Sequence, residues 1–174
     1  MIKIEDNFLG QKEFDELQTL MMGDGFVWSY SDGIDYGKEL NKFQFTHVFY
    51  SDNVPEFAYI EKLTPIFNKI KSMSFWRIKA NLLTKTSNII ENAFHVDIGN
   101  LEDSPEKLKQ WTTSIFYVNT NNGYTKFEDG TKVESVANRM AIFPANMKHT
   151  GTSCTDEKTR IVINFNYFSK YFCE

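Results

Sequence analysis

Five segments from residue 75 onward have the composition of β-strands, and they constrain the fold more than any other feature of the sequence. They read FWRIKANLLT, TTSIFYVNT, TKVESVA, RMAIFPA and RIVINFNYF, and each is short and rich in β-branched and aromatic residues. The turn-forming stretches NTNNGY, EDGT and ANMKHTGTS separate them, and EDG at 128–130 is typical of a tight turn. An aromatic content of 16% also favours a β-rich core packed with rings.

Two helices are predicted before this strand-rich part. Apolar residues recur at helical spacing in QKEFDELQTLMM (11–22) and in PEFAYIEKLTPIFNKIKSM (55–73). Asn53 is expected to cap the second helix with Pro55 in its first turn, and Pro65 is expected to kink or split it. Helices followed by many short strands predict an α+β, mostly β class, in which the N-terminal helices buttress a β-sandwich or a jelly-roll, cupin-like barrel.

Length and charge narrow the classes of protein that the sequence can encode. The chain is expected to form one domain over 1–174, with helical support and lead-in strands over 1–74 and the barrel core over 75–174. The net charge is −4 without a block of Lys and Arg, which argues against nucleic-acid binding. No apolar run is long enough for a membrane helix, and the start, MIKIEDNFLG, has no signal-peptide core. We therefore expect a cytoplasmic protein in which Cys154 and Cys173 are reduced thiols.

The segment FHVDI contains one of the three histidines of the chain, with a carboxylate two residues later. In a strand, His95 and Asp97 would project from the same face into a barrel, while Val96 would point outward. His149 lies in the loop expected after the strand RMAIF, which would carry it to the mouth of the same barrel. Two histidines and one carboxylate form the facial triad that suits non-haem Fe(II) and leaves coordination positions open for a cosubstrate and O2.

Arg160 opens the last predicted strand and extends this hypothesis. Arg160, Val162, Asn164 and Asn166 alternate on one face of RIVINFNYF, so the guanidinium would face the barrel interior. A buried charge is costly unless it is paired, which indicates an anion such as a dicarboxylate that chelates the metal and pairs with Arg160. Alternatives stay open at this point: Arg160 could pair with an acid of the preceding TDEKT segment at the surface, and either histidine could be an ordinary core or surface residue.

The order of these residues resembles the Fe(II)/2-oxoglutarate-dependent oxygenases, and among them the small stand-alone bacterial or phage members of the prolyl 4-hydroxylase-like group. The resemblance rests on HVD, on His149 and Arg160, and on the segments SIFYVNTNNGYTKFEDG and RIVINFNYF, and it covers about residues 75–170. It implies a double-stranded β-helix barrel. It also implies Fe(II) bound by His95, Asp97 and His149, and 2-oxoglutarate with its far carboxylate on Arg160.

The resemblance implies further contacts with the cosubstrate. Tyr117 in FYVN matches a tyrosine whose hydroxyl often reaches 2-oxoglutarate, and Asn164 matches a small polar residue beside its far carboxylate. Asn81 in RIKANLL is a further candidate for lining the pocket. The sequence departs from the family pattern at Val162, where many members have Ser or Thr. This departure affects the expected side-chain contacts with the far carboxylate of 2-oxoglutarate, but the salt bridge between that carboxylate and Arg160 is still expected.

The implied activity is a dioxygenase reaction that hydroxylates an unactivated C–H bond and releases succinate and CO2, with ascorbate as a supporting reductant. The resemblance favours a prolyl residue in a peptide or protein as the substrate, although related barrels act on small molecules. A phage-encoded member would work in the host cytoplasm. The competing hypotheses are a non-catalytic cupin-like barrel that binds a metal or a small acid, a zinc hydrolase, which would need a general base, and a non-enzymatic adaptor. His47, the remaining histidine, is expected to be structural rather than to line the substrate mouth.

Overall fold

A computed structural model describes residues 1–34, 42–55, 59–101 and 103–169. The strands are β1 (Lys3–Glu5), β2 (Ser29–Ser31), β3 (Gln44–Ser51), β4 (Val54–Pro55), β5 (Ser72–Thr84), β6 (Trp111–Tyr117), β7 (Tyr124–Phe127), β8 (Lys132–Glu134), β9 (Arg139–Pro144), β10 (His149–Gly151) and β11 (Thr159–Ser169). The helices are α1 (Gln11–Met22), α2 (Thr64–Ile70) and α3 (Pro105–Leu108), with 3-10 turns at Ile60–Leu63 and Gly99–Leu101.

These strands form two antiparallel sheets. The larger has the order β1-β9-β6-β11-β5-β3-β2, with β4 paired to β3, and the smaller has the order β10-β7-β8. The five segments predicted as strands lie in β5, β6, β8, β9 and β11, so the α+β, mostly β class is confirmed. Side chains from both sheets line one cavity. None of the helices in the described ranges is long and apolar enough to cross a bilayer.

The alternating side chains of β11 separate the hydrophobic core from this cavity. On one face, Ile161, Ile163 and Phe165 pack into the main core. The helices α1 and α2 close this core with the buried residues Phe14, Leu17, Met21, Ile66 and Ile70. On the other face, Arg160 and Asn164 line the cavity, as predicted. A shift of one residue in the pairing register of β11 would exchange its two faces and expose the apolar side chains. Burial of these side chains therefore strongly favours the register in which the guanidinium of Arg160 points into the cavity.

The second predicted helix begins later than its sequence pattern indicates. Pro55 lies in β4 rather than in a first helical turn, because Asp52 and Asn53 form a left-handed turn between β3 and β4, with φ of 50° and 62°. Asp and Asn tolerate this conformation and favour two-residue hairpin turns, so the hairpin prevails over the predicted helix cap. Residues 56–58 lie outside the described ranges. Pro65 lies at the start of α2, just after the 3-10 turn, and so splits the helical segment as predicted.

The turn predicted at 128–130 connects β7 and β8. Gly130 has a φ of 89°, a conformation that side chains other than glycine adopt with strain. The carboxylate of Asp129 accepts a hydrogen bond of 2.9 Å from the backbone N–H of Thr131 and closes the turn. This hairpin belongs to the smaller sheet, whose strands β7 and β10 carry residues of the cavity wall.

Candidate metal centre

The three residues predicted as metal ligands lie together in the structure. Their ligand atoms all lie within 4.8 Å of one another. Nε2 of His95 is 3.9 Å from Oδ1 of Asp97, and Nε2 of His149 is 3.8 Å from Oδ2 of Asp97. Metal–ligand bonds of about 2.0–2.2 Å are compatible with a cation between atoms at such separations.

The backbone that carries these ligands differs from the predicted strand and loop. FHVDI is not a regular strand: His95 forms an isolated antiparallel bridge with His149, with N–H···O distances of 3.0 Å in both directions. His149 begins β10, which pairs with β7, rather than lying in a loop. Val96 is buried beside Ile98 in a small separate cluster. A three-residue strand is too short to show an alternating pattern, which is why the sequence did not reveal β10.

Hydrogen bonds to the backbone fix the tautomers of both histidines. Nδ1 of His95 lies 3.2 Å from the carbonyl oxygen of Ala93, and Nδ1 of His149 lies 3.1 Å from that of Met147. A carbonyl oxygen can only accept, so each Nδ1 carries the hydrogen and each Nε2 presents a lone pair. Two lone pairs and the carboxylate of Asp97 therefore face one another, an arrangement that a cation between them would stabilise. The residues present thus fit a divalent metal ion.

Asp97 is held by two residues that sequence reasoning did not assign to the site. The amide Nδ2 of Asn166 donates to its Oδ2 at 3.0 Å, and Nη2 of Arg77 lies 3.4 Å from its Oδ1 and 3.2 Å from its backbone oxygen. Burial alone would raise the pKa of the Asp97 carboxyl, but His149 and His95 when they are protonated, the charge of Arg77 and the hydrogen bond from Asn166 bring it to about 2. Burial lowers the pKa of His149, which favours its neutral, ligating form.

Arg160 is buried, with 3% of its surface exposed, and it lines the same cavity. Its Nε donates to Oγ of Ser135 at 2.8 Å, and its Nη2 donates to Oγ1 of Thr125 at 3.2 Å. Within the described part of the chain it has no carboxylate partner, so the alternative of a surface ion pair is wrong. Burial lowers the pKa of the Arg160 guanidinium, but an arginine remains charged in a protein. Such a buried cation calls for an anion, and none of the side chains in the described ranges supplies one.

Two glycines make room for this guanidinium. A Cβ at Gly123 would lie 2.7 Å from Cδ of Arg160, and a Cβ at Gly151 would lie 3.3 Å from its Nη1. The first distance is shorter than side chains normally allow, so the arginine needs a glycine there. No signal in the sequence pointed to this packing, because it depends on how Gly123, just before β7, and Gly151, at the end of β10, approach β11 in three dimensions.

The cavity is small, with a volume of about 70 Å³. His95, Asp97, His149 and Arg160 all line it. The predicted residues Asn81 and Asn164 also line it, and the amide oxygen of each is buried without a hydrogen-bond partner. Buried polar atoms are usually paired, so these two orphaned groups are typical of a binding site.

Tyr117 and Val162 differ in their relation to the cavity. Tyr117 is fully buried, and its hydroxyl donates to Oγ1 of Thr125 at 2.8 Å, while Cζ of Arg160 lies 5.8 Å from its ring. It is not among the residues that line the cavity. Val162 does line the cavity. Because residue 162 is a valine, it offers no hydroxyl to the guanidinium of Arg160. The hydroxyls that accept hydrogen bonds from this guanidinium belong to Thr125 on β7 and to Ser135, just after β8.

His47 and Cys154 lie outside the candidate site. Nδ1 of His47 lies 2.8 Å from the backbone oxygen of Val27, and its ring packs against Phe26 and Phe49. These contacts give His47 the structural role expected from the sequence. Cys154 is a buried free thiol, as predicted, and its Sγ lies 3.4 Å from the backbone oxygen of Glu157. Cys173 lies outside the described residues.

The chain is similar to known proteins in its fold rather than in its sequence. No family model and no curated protein matches the sequence, whereas many solved structures share the arrangement of its backbone. The viral collagen prolyl hydroxylase vCPH from Paramecium Bursaria Chlorella virus-1 is 16% identical, with a TM-score of 0.56 over 97% of this chain and 90% of vCPH. A 2OG-Fe(II) oxygenase family oxidoreductase from Burkholderia pseudomallei is 10% identical, with a TM-score of 0.65 over 95% of this chain and 84% of its own.

The chain has the fold of the 2-oxoglutarate-dependent oxygenases. HygX from Streptomyces hygroscopicus, whose structure contains nickel, 2-oxoglutarate and hygromycin B, is 8% identical, with a TM-score of 0.59 over 98% of this chain and 83% of HygX. The double-stranded β-helix expected from the resemblance is therefore confirmed. Identities this low establish the fold alone, so the activity has to be argued from the residues of the site.

Proposed function

We propose that the protein is an Fe(II)- and 2-oxoglutarate-dependent dioxygenase that hydroxylates an unactivated C–H bond. The observation that carries the proposal is a single cavity lined both by the convergent His95, Asp97 and His149 and by a buried Arg160 that has no anionic partner among the described residues. A metal site alone does not require the guanidinium, and an anion site alone does not require the triad. A dicarboxylate cosubstrate that spans both accounts for the two together.

In this proposal, His95, Asp97 and His149 hold the metal from one side and leave its remaining positions open. Iron bound there would supply the oxidation of 2-oxoglutarate to succinate and CO2 and the insertion of oxygen into the substrate C–H bond. The protein positions the reactants and limits the access of water. The apolar cavity residues Leu83 and Ile115 serve the second purpose.

Arg160 binds the far carboxylate of the cosubstrate in this proposal. An arginine has five N–H donors, and Ser135 and Thr125 each accept one, so the others are available for a bidentate pair with a carboxylate. Asn164 and Asn81 are proposed to contact the cosubstrate through their amides. Tyr117, also predicted to contact it, is proposed to act through Thr125, because its hydroxyl is donated to that residue.

We propose a prolyl residue in a peptide or protein as the substrate. The support is the resemblance of the motif to the prolyl 4-hydroxylase-like group, together with a fold shared with a collagen prolyl hydroxylase. HygX, with hygromycin B bound, has the same fold, and a small-molecule substrate is the alternative. We further propose that the chain works as one oxygenase domain in the cytoplasm.

Two alternatives to an oxygenase make different demands on this site. A non-catalytic barrel would bind the metal and the acid without turnover. A zinc hydrolase would need a general base beside the metal-bound water, and among the described residues that line the cavity Asp97 is the only carboxylate. Because the triad requires Asp97 as a ligand, no second carboxylate on this wall supplies the base.

Mass spectrometry on a panel of proline-containing peptides tests the proposal. The purified protein is incubated with Fe(II), 2-oxoglutarate, ascorbate and each peptide, with Asp97→Ala as the matched control. We expect one peptide class to gain the mass of one oxygen atom, with an equal amount of succinate formed. Succinate formation without any hydroxylated peptide would support an oxygenase that acts on another substrate. Binding of metal and 2-oxoglutarate without succinate formation would support the non-catalytic barrel.

A further inference from the structure

We infer that Asn166 is a positioning residue that orients the carboxylate of Asp97 toward the metal and so sets the affinity of the site. The inference rests on the proposed metal site and goes beyond its three ligands. Asn166 is fully buried, and its amide nitrogen donates to Oδ2 of Asp97 at 3.0 Å. Oδ2 is also the oxygen that faces Nε2 of His149 at 3.8 Å, so the hydrogen bond holds an atom of the candidate ligand set.

The backbone does not position Asp97 by itself. The segment around Asp97 is not a regular strand, and the nearest regular contact is the isolated bridge between His95 and His149. In addition, rotation about Cβ–Cγ moves the carboxylate oxygens without breaking any backbone hydrogen bond. Side-chain hydrogen bonds therefore have to set the orientation of the carboxylate.

Three adjacent strands of the larger sheet carry the residues of this hydrogen-bond network. Arg77 on β5, Asn166 on β11 and Thr113 on β6 are direct neighbours in the strand register. They form a row across the sheet, and both Arg77 and Asn166 reach Asp97. Asn166 makes the shorter side-chain contact, 3.0 Å against 3.4 Å for Arg77.

Thr113 orients the amide of Asn166. Its Oγ1 lies 3.1 Å from the same Nδ2 that donates to Asp97, so the two hydrogens of the amide have two acceptors. The carboxylate can only accept, which requires that the amide presents its nitrogen to Asp97. The amide oxygen of Asn166 is buried without a partner. The protein thus leaves one buried acceptor unpaired while both hydrogens of the amide are used.

Metal binding by Asn166→Leu tests the inference, because leucine has a similar size and no donor. Mutation of a residue that forms a hydrogen bond to a metal-bound carboxylate typically lowers the metal affinity by about 10- to 100-fold. We expect Asn166→Leu to bind Co(II) more weakly by a factor in that range, with a changed visible spectrum of the bound Co(II), since the spectrum reports the coordination of the ion. Thr113→Val should weaken binding in the same direction by a smaller factor, and it provides a second test if Asn166→Leu does not fold.

Thr112→Val is the matched control, because Thr112 precedes Thr113 on β6, projects from the opposite face of the sheet, and has no hydrogen-bond partner for its hydroxyl among the described residues. In the absence of 2-oxoglutarate it should bind Co(II) with the affinity and spectrum of the wild type. Wild-type affinity and spectrum in folded Asn166→Leu and Thr113→Val would overturn the positioning role. A wild-type protein that does not bind Co(II) would instead overturn the proposed metal site, and the inference with it.

Discussion

Replacement of Arg160 by methionine separates a binding role from a structural one. The guanidinium donates two charge-assisted hydrogen bonds, to Ser135 and Thr125, each worth about 1.5–3 kcal/mol. Their loss is offset by removal of a buried, unpaired charge, whose desolvation costs several kcal/mol. The two effects nearly cancel, so we expect the free energy of unfolding of the ligand-free protein to change by less than about 2 kcal/mol.

Binding of 2-oxoglutarate should respond much more strongly to Arg160→Met. Truncation of one partner of a buried charge pair costs about 2–5 kcal/mol, which corresponds to about a 30- to 4,000-fold rise in the dissociation constant. Isothermal titration of the Mn(II)-loaded protein with 2-oxoglutarate measures this change, and urea unfolding measures stability. Arg139→Met is the control, because Arg139 pairs with Asp6 at 2.6 Å and lies outside the cavity lining. Arg160→Met that unfolds readily yet binds 2-oxoglutarate like the wild type would refute the reasoning.

Three further predictions follow from the same contacts. His95→Ala should lose Co(II) binding but keep its thermal unfolding midpoint within a few degrees, because the His95 side chain is 26% exposed; retained binding, measured by titration, would remove it from the site. Gly123→Ala should clearly lower the thermal unfolding midpoint, because the new methyl group would lie 2.7 Å from a backbone carbonyl oxygen. Gly25→Ala is the control and should leave the midpoint nearly unchanged, because there is open space around Gly25. Equal midpoints for the two variants would contradict this prediction. Burial raises the pKa of the Cys154 thiol, so in a Cys173→Ser background Cys154 should react with a thiol reagent at neutral pH only after unfolding, and fast reaction of the folded protein would disprove it.

The parts of the fold that depend on local pattern could be predicted from the sequence. The period of two in RIVINFNYF placed Arg160 on the inner face, and the helical stripe of QKEFDELQTLMM gave the exact bounds of α1. The glycine of EDG gave the turn between β7 and β8. In each case, residues close in sequence determine the conformation, so the pattern contains the required information.

The parts that depend on long-range pairing could not be predicted. Asn166 was placed on the inner face, but its contact with Asp97 depends on how FHVDI packs against the sheet, and its neighbours follow from the pairing of β11 with β5 and β6. Arg77 was missed for the same reason. His149 begins a three-residue strand whose partner, β7, was itself not predicted. The choice of Ser135 and Thr125 as hydroxyl partners of the guanidinium likewise arises only in three dimensions.

Succinate formation tests the central claim most directly, since it requires the metal, the cosubstrate and turnover in one cavity. The protein is incubated with Fe(II), 2-oxoglutarate, ascorbate and O2, and succinate is quantified for the wild type, His95→Ala and Arg160→Met. We predict succinate from the wild type that depends on Fe(II) and O2, none above background from His95→Ala, and recovery of the Arg160→Met signal only at much higher 2-oxoglutarate. Wild-type protein that binds Fe(II) and 2-oxoglutarate but forms no succinate, or His95→Ala that forms as much as the wild type, would contradict the assignment.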